Sequence, residues 1–93
     1  MSGYTLEKDD YLTRLRKIEG QVRGLQRLVD DDTYCIDVLT QIASVNAALK
    51  KVALGLVDQH LRHCVLDAVE TDSDEGQRRL GEAITAVERL LQL

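Results

Sequence analysis

Ile36-Asp37-Val38-Leu39-Thr40-Gln41-Ile42-Ala43-Ser44-Val45-Asn46-Ala47-Ala48-Leu49-Lys50-Lys51-Val52-Ala53-Leu54-Gly55-Leu56 is the stretch that decides the fold. It is too long for a strand and apolar almost all round, so it reads as a helix buried on several sides. Its flanks extend the helical pattern from about Tyr34 to Val69. The chain has no Pro to interrupt it, and Gly55 is the one position where a kink is expected.

Two further helices flank it. The first runs from about Glu7 to Val29, where Leu15, Ile18, Val22, Leu25 and Val29 recur at spacings of three and four. Asp30-Asp31-Asp32-Thr33 breaks the pattern, and Asp32 or Thr33 is placed to cap the next helix. Thr71-Asp72-Ser73-Asp74-Glu75 reads as a turn plus an N-cap. A third helix follows from about Asp74 to Leu91, with Leu80, Ala83, Ile84, Val87, Leu90 and Leu91 as its apolar stripe. The expectation is an all-α, three-helix chain forming one domain over residues 1–93. So short a chain buries a limited core alone.

Composition narrows the function. Two cysteines do not make a disulfide scaffold, the first residues are polar and charged, and no apolar run is long enough to span a bilayer. A cytoplasmic protein with no membrane partner is expected. The net charge is −4, but between Arg14 and Arg27 five cations (Arg14, Arg16, Lys17, Arg23, Arg27) stand against Glu19 alone. Local field rather than net charge decides what binds a surface. A solvated charged face explains these residues equally well, and no helix-turn-helix, zinc-finger or basic-zipper signature is present. Lys50 and Lys51, inside an otherwise apolar helix, favour a binding role.

The chemistry-bearing residues are Cys35, His60 and Cys64. His60 and Cys64 are four apart and share a helix face. Cys35 lies within about 20° of both on the helical wheel, yet 25 residues of helix separate it from His60 by roughly 37 Å. Two arrangements bring the three together. The helix folds back on itself, which the apolar run and absent Pro disfavour. Otherwise a second copy runs antiparallel about a twofold axis near Ala48 and Leu49, with Asn46, Leu49 and Ala53 along the stripe between. The second gives a symmetric dimer with two identical inter-chain sites. Two thiolates and one imidazole suit Cu(I) better than structural zinc, which takes four ligands. Two inert buried cysteines are the alternative, and spacing alone does not choose. His63 points about 100° from Cys35 on the wheel and reads as a surface residue or a neighbour of the ligands.

Three segments together carry a resemblance. Arg14-Leu15-Arg16-Lys17-Ile18-Glu19-Gly20-Gln21-Val22-Arg23-Gly24, Tyr34-Cys35-Ile36-Asp37-Val38-Leu39-Thr40-Gln41-Ile42 and His60-Leu61-Arg62-His63-Cys64 resemble the signatures of the CsoR/RcnR family of bacterial helical repressors. The resemblance covers nearly the whole chain. It implies a dimer of dimers, a homotetramer of helical bundles, that binds operator DNA without metal and releases it when metal binds. It implies Cu(I) as the metal, because the copper branch has Cys, His and Cys where Cys35, His60 and Cys64 stand. The nickel and cobalt branch has histidines where Gly3 and Cys64 stand here, the formaldehyde branch lacks the second thiol, and the persulfide branch lacks the imidazole. The resemblance further implies Tyr34 and Glu82 as hydrogen-bonding neighbours of the site histidine, and Arg14, Lys17, Lys50 and Lys51 as DNA contacts. The rival functions are a thiol-oxidation or persulfide-sensing repressor and a helical copper chaperone or buffer. Nothing in the sequence resembles a catalytic pocket, so no enzyme is expected.

Overall fold

The structure, a computed structural model, describes residues 7–92, and every element in it is helical. Helix α1 spans Lys8–Asp30 and α2 spans Cys35–Gln59. A π-helical turn, His60–Val65, continues α2 directly, and α3 (Leu66–Thr71) continues the turn. Helix α4 spans Ser73–Leu91. The three expected helices are therefore present, with ends within two residues of those read from the sequence. Gly3 lies outside the described residues.

The described residues fall into two compact units, Glu7–Ala53 and 54–92. In the first, α1 and α2 form an antiparallel hairpin. Late residues of α1 (Val22, Leu25, Val29) line one hollow with early residues of α2 (Val38, Ile42). Earlier ones (Lys17, Ile18) share a groove with Ala48 and Lys51. The stripe is anchored by Tyr11 and Ile18 on α1 and by Val45 and Val52 on α2, all buried. In the second unit the π turn, α3 and α4 pack together around Ala68, Gly76 and Ala83. Small residues at these contacts let helix backbones approach closely.

Both connections are closed by named backbone groups. At the end of α1, Thr33 N–H donates to the Leu28 carbonyl (3.0 Å) and Asp32 N–H to that of Val29 (3.1 Å). This is a Schellman motif, with Asp32 as the left-handed residue at φ 54°. Asp32 thus terminates α1, where the sequence left open that it starts α2. Aspartate suits both jobs, because it tolerates the left-handed region better than most residues. The Tyr34 carbonyl accepts from Asp37 and Val38, so α2 begins directly after Tyr34. At α4, Asp72 is the N-cap and its carboxylate accepts from the N–H groups of Asp74 (3.0 Å) and Glu75 (3.4 Å). Asp74 and Glu75 then lie in the first turn, near the positive end of the helix.

The expected kink at Gly55 is absent. α-Helical bonding passes through Gly55, and the departure begins at His60, where Leu66 N–H bonds five residues back to the Leu61 carbonyl. A π turn holds about one more residue than an α turn, so the residues after Val65 are rotated relative to the wheel of residues 54–59.

The buried apolar set is small. Among the described residues it comprises Tyr11, Ile18, Val45, Val52, Ala68 and Ala83, while Leu39, Leu54, Ile84 and Leu66 are each more than half exposed. Large aliphatic side chains at that exposure on one chain mark an association surface. No described helix is long and apolar enough to cross a membrane.

The Asp32 geometry yields a test. A β-branched residue in the left-handed region is costly, whereas Gly is at ease there. Asp32→Val is expected to lower stability by about 1–2 kcal/mol and Asp32→Gly to hold or raise it, in urea unfolding at one fixed protein concentration. Equal midpoints for the Val and Gly variants would reject this role for Asp32.

Candidate metal centre and basic groove

Cys35 is the first residue of α2, exposed, and lines a hollow with Val29, Asp32, Thr33, Val38 and Leu39. His60 opens the π turn and Cys64 is its fifth residue, both half-buried. Both cysteines are free thiols. The structure therefore puts His60 and Cys64 on one turn. Helix α2 runs without a break from Cys35 to Gln59, which removes the fold-back arrangement over those residues. Among the described residues, no group of three or more His, Cys, Asp and Glu is placed to hold a metal ion.

The histidine has a definite partner. His60 Nε2 lies 3.2 Å from the main-chain carbonyl oxygen of Arg79 on α4. A carbonyl only accepts, so Nε2 carries the proton and Nδ1 keeps the lone pair. A bare ring nitrogen and two free thiols are the right donors for a soft monovalent cation, and the donor set fits copper(I). His63 is half-buried on the same turn.

The residues around the histidine differ in part from the expected set. The Glu82 carboxylate accepts from Arg78 Nη1 at 3.1 Å. Arg78 also forks onto Glu75, with Nε 2.8 Å from Oε2 and its Nη2 on Oε1. Arg79 Nε reaches the same Glu75 at 2.8 Å. Two guanidiniums thus hold the Glu75 carboxyl below the usual glutamate range, through the hydrogen bond from Arg78 first and that from Arg79 next. Tyr34 is two-thirds exposed and belongs to the other compact unit. The Arg79 carbonyl escaped the sequence reading because a main-chain acceptor leaves no residue-type signal.

Three of the four candidate DNA contacts meet in one groove. Arg14, Lys17 and Lys51 line it with Asp10, Thr13, Ile18, Gln21 and Ala48. Arg14 Nε pairs with Asp10 at 3.1 Å, with both side chains about half exposed. An exposed pair of this kind contributes about 0–1 kcal/mol, so a phosphate competes for Arg14 at little cost. Lys50 is exposed but is not among the lining residues.

An all-helical chain with this donor turn and this groove has the build of a ligand-responsive regulator. The chain belongs to the metal-sensitive transcriptional repressor family, whose profile it matches over residues 7–92. It is accordingly a regulator and not an enzyme. It is 52% identical over 90 residues to the copper-sensing transcriptional repressor RicR of Mycobacterium tuberculosis, covering 97% of this chain and 94% of that one. It is 49% identical over 78 residues to the copper-sensing repressor CsoR of Bacillus subtilis, covering 84% and 75%. Its fold matches the crystal structure of the copper-sensing repressor CsoR with Cu(I) from Geobacillus thermodenitrificans, with TM-score 0.84, 39% identity, and 91% and 86% of the chains covered. The all-α, three-helix expectation holds.

The Glu75 cluster has a pH signature. Its folded pKa lies below the ordinary value of 4.5, so its stabilising contribution is full above that value. The contribution fades as pH falls through the lower folded value. Glu75→Gln is expected to lower Tm near neutral pH and to lose that difference by about pH 3, in paired melts across the range. A Tm difference independent of pH would reject the charge-based account.

Proposed function

We propose that the chain is a copper(I)-responsive transcriptional repressor of the cytoplasm, acting as one metal-sensing and DNA-binding domain over residues 1–93. It binds operator DNA without metal and releases it on Cu(I) binding, which derepresses copper-resistance genes. The observation that carries this reading is the split donor set. His60 and Cys64 share one turn, with the His60 proton on Nε2, while Cys35 begins the same helical run at the far end of an unbroken α2.

In the proposed assembly, His60 and Cys64 of one protomer share the metal with Cys35 of the partner subunit, and two such dimers form a tetramer. Tyr34 and Glu82 serve as hydrogen-bonding neighbours of the ligand histidine. Bound copper supplies a soft bridge between subunits. The protein's own groups do the rest. Arg14, Lys17, Lys50 and Lys51 supply phosphate contacts, and shape rather than base edges supplies much of the sequence preference. The metal-bound quaternary arrangement fits DNA less well. By linkage, operator DNA weakens copper binding by the same factor.

The deciding experiment is an anaerobic gel-shift titration on the DNA upstream of the protein's own coding region. A complex is expected without metal and its release with Cu(I). The affinity should fall with salt at a slope of about −0.9 per phosphate contact, and Arg14→Ala, Lys17→Ala or Lys51→Ala should each weaken binding and flatten the slope. Release by peroxide or persulfide but not by Cu(I) would make the protein a thiol sensor. Absence of any complex would make it a copper buffer.

A mixing experiment addresses the shared site. Cys35→Ala chains and His60→Ala/Cys64→Ala chains each lack a whole site. Mixed, they are expected to recover one tight Cu(I) site per heterodimer, measured by competition with a Cu(I) chelator. A heterodimer without tight binding would place the site within one chain.

A further inference from the structure

The His60 ring meets α4 through main chain, not through a side chain. Its Nε2 is 3.2 Å from the Arg79 carbonyl oxygen in a part-buried setting. Within α4 that carbonyl is also the α-helical acceptor for Ala83 N–H, and a carbonyl oxygen has a second lone pair. Ala83 is buried, so solvent does not take that lone pair freely.

The turn that carries the carbonyl is laced by charge. Arg79 Nε is held by Glu75 at 2.8 Å. Glu75 is held in turn by Arg78, whose Nη1 reaches Glu82 at 3.1 Å. Two cations and two carboxylates span positions 75–82 on one helix, at the spacings of three and four that bring helical side chains together. The one side-chain carboxylate expected beside the histidine is engaged on Arg78 instead.

We infer that Arg79 is a positioning residue of the metal centre: its main-chain carbonyl holds the His60 proton on Nε2 and leaves Nδ1 as the donor nitrogen, and the Glu75–Arg79 ion pair keeps that carbonyl in place. This rests on the proposed ligand role of His60. An acceptor that fixes the tautomer and ring orientation before metal arrives removes a reorganisation step from binding. No side-chain substitution at position 79 deletes the acceptor, so side-chain mutagenesis alone does not reveal it.

The test alters the carbonyl itself, in the metal-free full-length chain. Replacing Leu80 by its α-hydroxy acid turns the Arg79 carbonyl into an ester carbonyl, a weaker acceptor, and also removes one helical N–H. The same replacement at Ile84 removes one helical N–H and leaves the Arg79 carbonyl intact. With His63→Gln, His60 is the only imidazole, and nitrogen-15 histidine labelling reads its tautomer and the exchange of its Hε2 proton with water. Expected are a proton on Nε2, none on Nδ1, and slow exchange. The Leu80 ester should speed exchange roughly tenfold, the order a hydrogen bond of ordinary strength supplies, while the Ile84 ester and Glu82→Gln leave it unchanged.

A proton on Nδ1, or fast exchange in the unaltered backbone, would overturn the assignment. So would equal acceleration by both esters, no acceleration by either, or acceleration by Glu82→Gln. The ligand role fails separately. If His60→Ala binds Cu(I) as tightly as the parent, His60 is not a ligand, whatever the tautomer shows.

Discussion

The helix that runs unbroken from Cys35 to Gln59 is the constraint on which the rest depends. Its backbone groups are satisfied internally, and no Pro interrupts it. A break near its middle would have let one chain gather its own soft donors. Without one, Cys35 begins the helix and His60 and Cys64 follow its end. The same helix also keeps Ile36, Leu39, Leu49 and Leu54 exposed on the isolated chain. These two consequences support one remedy. Association that buries the aliphatic surface is the association proposed to complete the donor set, so folding energy and metal-site assembly draw on one interface.

The parts that were legible in the sequence are those with a residue-type signal. Spacings of three and four located all three helices, and the residues Asp72 to Glu75 announced the start of α4. The donor trio was visible because Cys and His are scarce here: two of each in 93 residues. The π turn was not visible. Leu61, Val65 and Leu66 keep the segment apolar whether it winds as α or as π, so periodicity carries no phase information there. Asp32 was ambiguous for a different reason, since one residue type serves both as an N-cap and as a left-handed terminator. The Glu82 pairing depends on which of two partners is nearer, and Arg78, one turn away on the same helix, is local where the histidine is not.

The basic groove shows why net charge misleads. The chain is acidic overall, at −4. Yet Arg14, Lys17 and Lys51 come together because α1 and α2 run antiparallel, which sets position 17 near position 51. Asp10 is the only acid among the groove's lining residues, and its exposed pair with Arg14 is weak enough for phosphate to displace. The sequence supplied the cations, while the hairpin supplied their proximity.

The groove and the donors also share an element. Lys51 stands on α2, between Cys35 at its start and the π turn after its end. A change in how this helix packs against a second copy reaches Lys51 through continuous helix, without crossing a loop. Helices transmit displacement well because their hydrogen-bonded interiors resist compression and bending, whereas a loop absorbs it. For a regulator whose two ligands must oppose each other, this placement is economical. Metal ligation and phosphate contact act on one rigid body, so the coupling between them requires two packings of the dimer and no relay of side chains. On that view the π turn is the sensitive point of the helix. It is where α-helical bonding lapses, and it is the segment that carries both His60 and Cys64.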